Sequence, residues 1–107
     1  MITKAVPTYQ VRIYMSGPIE TAKQAIRQYV RVGLCVTIEP TTFLYTGGEE
    51  SGFIVGLLNY PRFPSEPAVI DAHAEALADA LLEATFQDSV LIVSPQKAVW
   101  HTKRVEK

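Results

Sequence analysis

Residues 9–16 alternate between apolar and polar side chains, which is typical of a strand with one buried face. The apolar positions are Val11, Ile13 and Met15. In residues 18–32 the apolar side chains recur three and four positions apart instead, and Gly33 follows them. This spacing predicts a helix that ends at a glycine cap.

Alternation returns in residues 34–39, and strand-forming residues resume at 41–46 after Pro40. A proline inside a strand favours an edge position or a bulge. Residues 47–51, with the sequence GGEES, predict a hairpin turn. This turn leads into residues 52–60, which we predict to be the central strand.

The predicted central strand carries bulky apolar side chains on both sides. One side holds Phe53, Val55 and Leu57, and the other holds Ile54, Leu58 and Tyr60. A strand of this composition is typically covered on both faces. The pattern does not determine which side faces the helices.

Three prolines at positions 61, 64 and 67 predict an extended connection, because proline does not donate to a strand ladder. Apolar residues at helical spacing then predict a second helix that begins near Pro67 and ends at Gln87-Asp88. Residues 89–94 resemble another buried strand, and 98–102 can pair back along it.

The order strand, helix, strand, strand, helix, strand predicts a ferredoxin-like α+β sandwich. In this β-α-β-β-α-β fold two helices cover one face of an antiparallel sheet, and the first and third strands are central. We allow for a short extra C-terminal strand. We expect one domain over residues 1–107, with a loose N-terminal arm at 1–8 and a charged tail at 103–107.

The composition narrows the classes of function. A net charge of −1 gives the chain no general attraction to nucleic acid or to acidic membranes. No apolar run approaches the roughly 20 residues that a membrane helix needs, so we expect no membrane association. The single cysteine, Cys35, excludes an internal disulfide and favours the reducing cytoplasm.

Two short stretches loosely resemble the RNA recognition motif, whose first and third strands carry aromatic residues. They are residues 13–15 (IYM) and residues 51–56 (SGFIVG). Ser51 stands where the motif has a basic residue, and the later aromatic residue is absent. The stretch 63–96 has no lysine or arginine, which opposes RNA binding. We therefore do not predict nucleic acid as a partner.

The sheet face away from the helices has no predicted cover, although the central strand places large apolar residues on it. Exposed apolar surface of this size typically marks an interface or a ligand groove. We therefore predict a homodimer built through this open face, or a cup for a small apolar ligand. The predicted interface residues are Arg12, Tyr14, Thr37, Val55 and Leu57.

No catalytic motif, cofactor motif or metal-ligand spacing occurs in the sequence, so we expect no cofactor and no metal site. The preferred hypothesis is a self-associating interaction or regulatory module. The alternative is a small-molecule-binding protein or enzyme with a cavity between sheet and helices. For it, the candidate ligand-binding residues are Tyr14, Glu39, Tyr60, Arg62 and His73. His73 remains open between a structural role beside Tyr29 and a functional one.

Overall fold

A computed structural model describes residues 1–30 and 34–105. Within them, five strands and two helices follow one another in the order β-α-β-β-α-β-β. The strands are β1 (Gln10–Ser16), β2 (Val36–Tyr45), β3 (Gly48–Leu58), β4 (Ser89–Val93) and β5 (Ala98–Thr102). The helices are α1 (Ile19–Tyr29) and α2 (Pro67–Thr85).

The five strands form one antiparallel sheet in the order β2-β3-β1-β4-β5. Strands β1 and β3 are internal, and the two helices contact each other on one face. The predicted ferredoxin-like fold is thus confirmed, and the extra C-terminal strand is present as β5. Neither helix in the described ranges is long and apolar enough to span a membrane.

The helix-covered face of the sheet forms the core. Its strand residues are Val11, Ile13 and Met15 of β1, Phe53, Val55 and Leu57 of β3, and Val90 and Ile92 of β4. Helix α2 contributes Leu77 and Leu81, which are fully buried. Burying each large apolar side chain stabilises the fold by about 1.5–3 kcal/mol.

The opposite face of the sheet is open. Cross-strand register places Glu39, Ile54, Tyr14, Leu91 and Trp100 in one row across all five strands. Val55 and Leu57 were predicted at this face, and that placement is wrong: their side chains point to the helices and are 0% and 1% exposed. Ile54 and Leu58 occupy the open face of β3 instead.

The β2–β3 hairpin is longer and tighter than predicted. Strand β2 continues through Pro40, which is tolerated because β2 is an edge strand. Only Thr46 and Gly47 form the turn, with Gly47 at φ +89°, so residues 48–51 belong to β3 rather than to a loop. Pairing of β3 with β1 ends at Gly52, and the hairpin therefore projects as a two-stranded arm.

The two helices end differently. Helix α1 ends at Tyr29, and the predicted glycine cap at Gly33 lies outside the described residues. Helix α2 ends at Thr85, and Phe86 follows in the left-handed conformation with φ +55°. This conformation costs a non-glycine residue about 1–2 kcal/mol.

Candidate functional site

The connection between β3 and α2, residues 59–66, is a folded loop rather than an extended segment. The backbone N–H of Phe63 donates to the carbonyl of Tyr60 across 2.8 Å. This closes a tight turn in which Pro61 takes the second position, where its fixed φ is favourable. The rings of Tyr60 and Phe63 lie 6.0 Å apart at 32°, so the turn presents a pair of aromatic rings.

Asn59 fixes the loop to the N-terminal segment. Its side-chain N–H donates to the carbonyl of Pro7 at 2.9 Å, and its side-chain oxygen accepts from the N–H of Ser65 at 2.9 Å. Its backbone N–H donates to the carbonyl of Tyr9 at 2.9 Å. One asparagine therefore holds both ends of the loop and its neighbouring segment in place.

A cavity of about 210 Å³, which we name the loop cavity, lies between this loop, the start of α2 and the chain just before β2. Its walls are Leu34, Cys35, Leu57, Leu58, Tyr60, Phe63, Pro64, Ser65, Ile70 and His73. Most of these side chains are apolar, with a few polar groups among them. This composition is typical of small-molecule sites.

His73 reaches the loop cavity from α2 and is held there by α1. The Tyr29 hydroxyl lies 2.8 Å from Nδ1 of His73, and the two rings meet edge to face at 5.8 Å. Burial raises the pKa of Tyr29, so its hydroxyl keeps its proton at neutral pH. The tautomer of the imidazole decides which of the two groups donates, and Nε2 is the second hydrogen-bonding atom of the ring. The predicted packing of His73 beside Tyr29 is confirmed.

Arg62 lies at the tip of the turn. Its guanidinium carbon is 5.4 Å from the centroid of the Phe63 ring, within cation–π range. Arg62 and Glu66 form no ion pair. The guanidinium is exposed, so its donors are available to a ligand or to water.

A second groove, of about 430 Å³, lies on the other side of the same loop. It shares Pro64 and Ser65 with the loop cavity and is bounded by the N-terminal segment 6–9 and by Glu66. The Tyr9 hydroxyl donates to Asp71 at 2.8 Å. The carboxylate bond raises the pKa of Tyr9, because ionisation would place two negative charges together.

Tyr14 and Glu39, both predicted ligand-binding residues, lie away from the loop cavity on the open sheet face. They flank Ile54 in the cross-strand row, and Arg12 and Thr37 flank Gly56 in the next row. The Tyr14 hydroxyl, followed by the charge of Glu39, raises the pKa of Arg12. The structure thus brings Tyr60 and His73 together, places Arg62 at the adjoining turn, and separates Tyr14 and Glu39 from them.

Eight of the ten residues that line the loop cavity were not predicted as ligand-binding, among them Phe63, Ser65 and Cys35. The sequence does place Phe63 and Ser65 in the proline-rich connection that carries Tyr60. Cys35 was predicted to lie within a strand, but β2 begins at Val36, so Cys35 precedes the strand and is exposed at the cavity. The sequence could place Cys35 at the cavity only if it showed where β2 begins, and the alternation of apolar and polar residues does not determine that boundary.

No family model matches the sequence, and no curated protein matches it. Among solved structures, the chain is similar to a phage SAM lyase in its apo state, with a TM-score of 0.72 and 15% identity. That match covers 100% of this chain and 99% of the lyase. The chain is also similar to a phage SAM lyase in complex with S-methyl-5'-thioadenosine, with a TM-score of 0.75 and 16% identity. That match covers 100% of this chain and 98% of the lyase.

A DUF3240 family protein from Shewanella baltica matches with a TM-score of 0.47 and 7% identity, over 96% of this chain and 97% of that one. The two lyase structures are much more similar in fold. At 15% and 16% identity they show that this chain shares the lyase fold from end to end.

Proposed function

We propose that this protein is a SAM lyase whose loop cavity binds S-methyl-5'-thioadenosine, the part of SAM left when sulfur separates from the aminobutyrate chain. The observation that carries the proposal is the fold match along the whole of both chains, at TM-scores of 0.72 and 0.75. A fold alone does not establish a function, so the proposal also needs a site of suitable chemistry.

The loop cavity offers suitable groups for such a ligand. Leu34 and Leu58 provide accessible apolar surface for the methylthio group, and the rings of Tyr60 and Phe63 provide a surface for an adenine ring. His73 supplies its second ring nitrogen, Nε2, as a hydrogen-bonding group. A volume of about 210 Å³ is below the roughly 300–1,000 Å³ of most ligand pockets. The ligand therefore fills the cavity and extends over the aromatic pair.

Calorimetric titration with S-methyl-5'-thioadenosine tests the binding, and the two histidines of the chain form a matched pair. His73→Ala should weaken binding about tenfold, since it removes a hydrogen bond and part of the cavity wall. His101→Ala should leave binding unchanged, because His101 lies on β5 and contacts Glu75 at 2.9 Å. Equal affinities for the two variants would contradict this site.

The single cysteine provides a second readout that does not require turnover. Cys35 lines the loop cavity and is exposed, so bound S-methyl-5'-thioadenosine should slow its reaction with a thiol reagent. Methionine, which lacks the nucleoside, should protect Cys35 less. Binding without protection of Cys35 would place the ligand elsewhere in the protein.

Lyase activity is measured by incubating the protein with SAM and detecting S-methyl-5'-thioadenosine by chromatography. Tyr60→Ala should lower the rate at least about tenfold, because it removes both the aromatic surface and the phenol. His101→Ala, on β5 and outside the lining of the loop cavity, is the control. Absence of product with folded wild-type protein would rule out the lyase proposal.

A specific observation favours a second proposal, self-association through the open sheet face. Tyr14, Ile54, Leu91 and Trp100 form a continuous row there, and Trp100 is 51% exposed. We propose that a second copy of the chain covers this row in a homodimer, with Arg12 and Thr37 at the same surface. A protein partner at this face is the remaining alternative.

Sedimentation equilibrium at micromolar concentration tests this association. Wild-type protein should sediment as a dimer, and Ile54→Lys should be monomeric with an unchanged circular dichroism spectrum. Val69→Lys places the same charge on an exposed residue of α2 and should remain dimeric. A wild-type monomer would rule out the dimer.

The free thiol of Cys35 supports a cytoplasmic location for both functions.

A further inference from the structure

Phe86 is an aromatic residue with no evident role inside the fold. It follows α2 in the left-handed conformation with φ +55°, where glycine is the favoured residue. Its relative exposure is 92%, so almost none of its ring packs against the described residues. Phe86 thus has a strained backbone conformation and an exposed aromatic ring. A contact between the ring and another molecule would give this combination a function.

The ring of Phe86 stands at one end of a continuous shallow groove. The part beside Phe86 has a volume of about 400 Å³, and the part over the α1–α2 contact has about 830 Å³. Both parts share Leu82, Glu83 and Lys103, so they adjoin. Apolar side chains such as Ala25, Tyr29 and Leu82 line this groove, and it lies away from the loop cavity.

The charge along the groove is mainly negative. Asp79, Glu83 and Asp88 line it, against the single ammonium group of Lys103 among the described lining residues. An apolar groove with an acidic rim complements a segment that has apolar side chains on one side and lysine or arginine on the other. The acidic rim disfavours an acidic segment in the same place.

We propose that the Phe86 groove binds a basic amphipathic segment of a partner protein, with Phe86 as the aromatic anchor. Aromatic residues in such contacts typically carry a large share of the binding energy. The groove and the loop cavity share no lining residue, although Tyr29 of the groove bonds His73 of the cavity. The test therefore uses Phe86 and Glu83, which do not line the loop cavity.

The test uses a fluorescein-labelled amphipathic peptide of leucine and lysine at helical spacing, followed by anisotropy with the full chain. Phe86→Gly should weaken binding at least about tenfold while raising Tm by about 3 °C, since glycine relieves the left-handed strain. Glu83→Gln should weaken binding by about two- to fivefold. Leu44→Ser, at an exposed leucine on the hairpin arm, is the control and should leave the peptide affinity unchanged.

Several results would overturn the proposal. Equal peptide affinity of wild type and Phe86→Gly would remove Phe86 as the anchor, and a lower Tm of Phe86→Gly would mean that the ring packs within the chain. Equal binding of a leucine–glutamate peptide would remove the charge argument. Binding that appears only after residues 104–107 are deleted would assign the groove to the C-terminus of the chain itself. A change of mass on Phe86→Gly in sedimentation would assign it to a second copy.

Discussion

The two faces of the sheet are built from the same strands but have opposite surroundings. On the covered face, Ile13 pairs with Val55, and both are 0% exposed. On the open face, Tyr14 pairs with Ile54 one residue further along, and both remain partly exposed. A shift of one position thus separates the structural core from the surface available for association.

Glycine explains why the helices cover one face of β3 and not the other. Gly52 and Gly56 lie on the same side as Ile54 and Leu58, so that side carries less apolar volume than Phe53, Val55 and Leu57 provide. Burying the fuller side gives the larger hydrophobic gain. Apolar residues on both sides of a strand therefore do not carry equal weight when one side also holds the glycines.

The largest expected effect is a difference in the free energy of unfolding between alanine variants at two neighbouring residues of β3. Phe53→Ala should lower the free energy of unfolding by about 3–5 kcal/mol, because it leaves a cavity in the core. Ile54→Ala should lower that of the monomer by less than about 1 kcal/mol, since its side chain is only partly buried. Urea denaturation of both variants measures the difference. Similar losses would mean that the two faces are equally packed.

The sequence was sufficient for the fold because the strand and helix periods change clearly between 9–16 and 18–32. It narrowed β2 to an edge strand or a bulged strand, because Pro40 cannot donate to a central ladder, and the structure shows the edge position. The large apolar residues did not decide which side of β3 the helices cover, since Val55 and Ile54 are similar in hydrophobicity. The distinguishing signal was the position of Gly52 and Gly56, which the prediction did not weigh.

A second prediction concerns Gly52, where the open face is tightly packed. A Cβ added at Gly52 would contact the Met15 carbonyl and lie 2.6 Å from the Phe43 ring. Gly52→Ala should therefore lower the free energy of unfolding by about 2–3 kcal/mol. Gly47→Ala, at the hairpin turn, meets no atom within 4 Å and should cost only about 1 kcal/mol, from its φ of +89°.

Thermal and urea unfolding of the two glycine variants measure these costs. A smaller effect at Gly52 than at Gly47 would mean that β1 and β2 move apart easily at this point. The open face would then be as adaptable there as it is around Ile54. The two faces of the sheet would then differ only in whether helices cover them, and not in how tightly their strands pack.

The structure brings only some of the predicted ligand-binding residues together, for a related reason. Tyr60 and His73 meet because a folded loop brings the end of β3 to the second turn of α2. Tyr14 and Glu39 were grouped with them on the expectation of a cavity between sheet and helices, but their strand positions face the other way. The turn of the loop depends on Asn59 contacts with the distant Pro7, which local patterns do not reveal.

A third, smaller effect concerns the helices that cover the core. Tyr29→Phe removes the 2.8 Å hydrogen bond to Nδ1 of His73 but retains the ring contact. It should lower the free energy of unfolding by about 0.5–1.5 kcal/mol. A double-mutant cycle with His73→Ala should give a coupling of similar size, because each variant removes the same bond. Additive effects would mean that this contact contributes little to holding α1 against α2.

The smallest effect is the pH dependence of the same contact. Burial raises the pKa of Tyr29 above its ordinary value of 10.0, so the folded state favours the protonated phenol. That contribution is fully present below about pH 10, declines as unfolded tyrosine ionises, and is lost once the pH passes the folded pKa. The difference in unfolding free energy between wild type and Tyr29→Phe should therefore stay constant up to about pH 10 and narrow above it. Ile54→Ala, which removes no titrating group, should keep a constant difference from wild type over the same pH range. If the Tyr29→Phe difference also stayed constant above about pH 10, the Tyr29 phenol would be exposed to water. The α1–α2 contact would then exclude water less completely than the helix-covered face of β3.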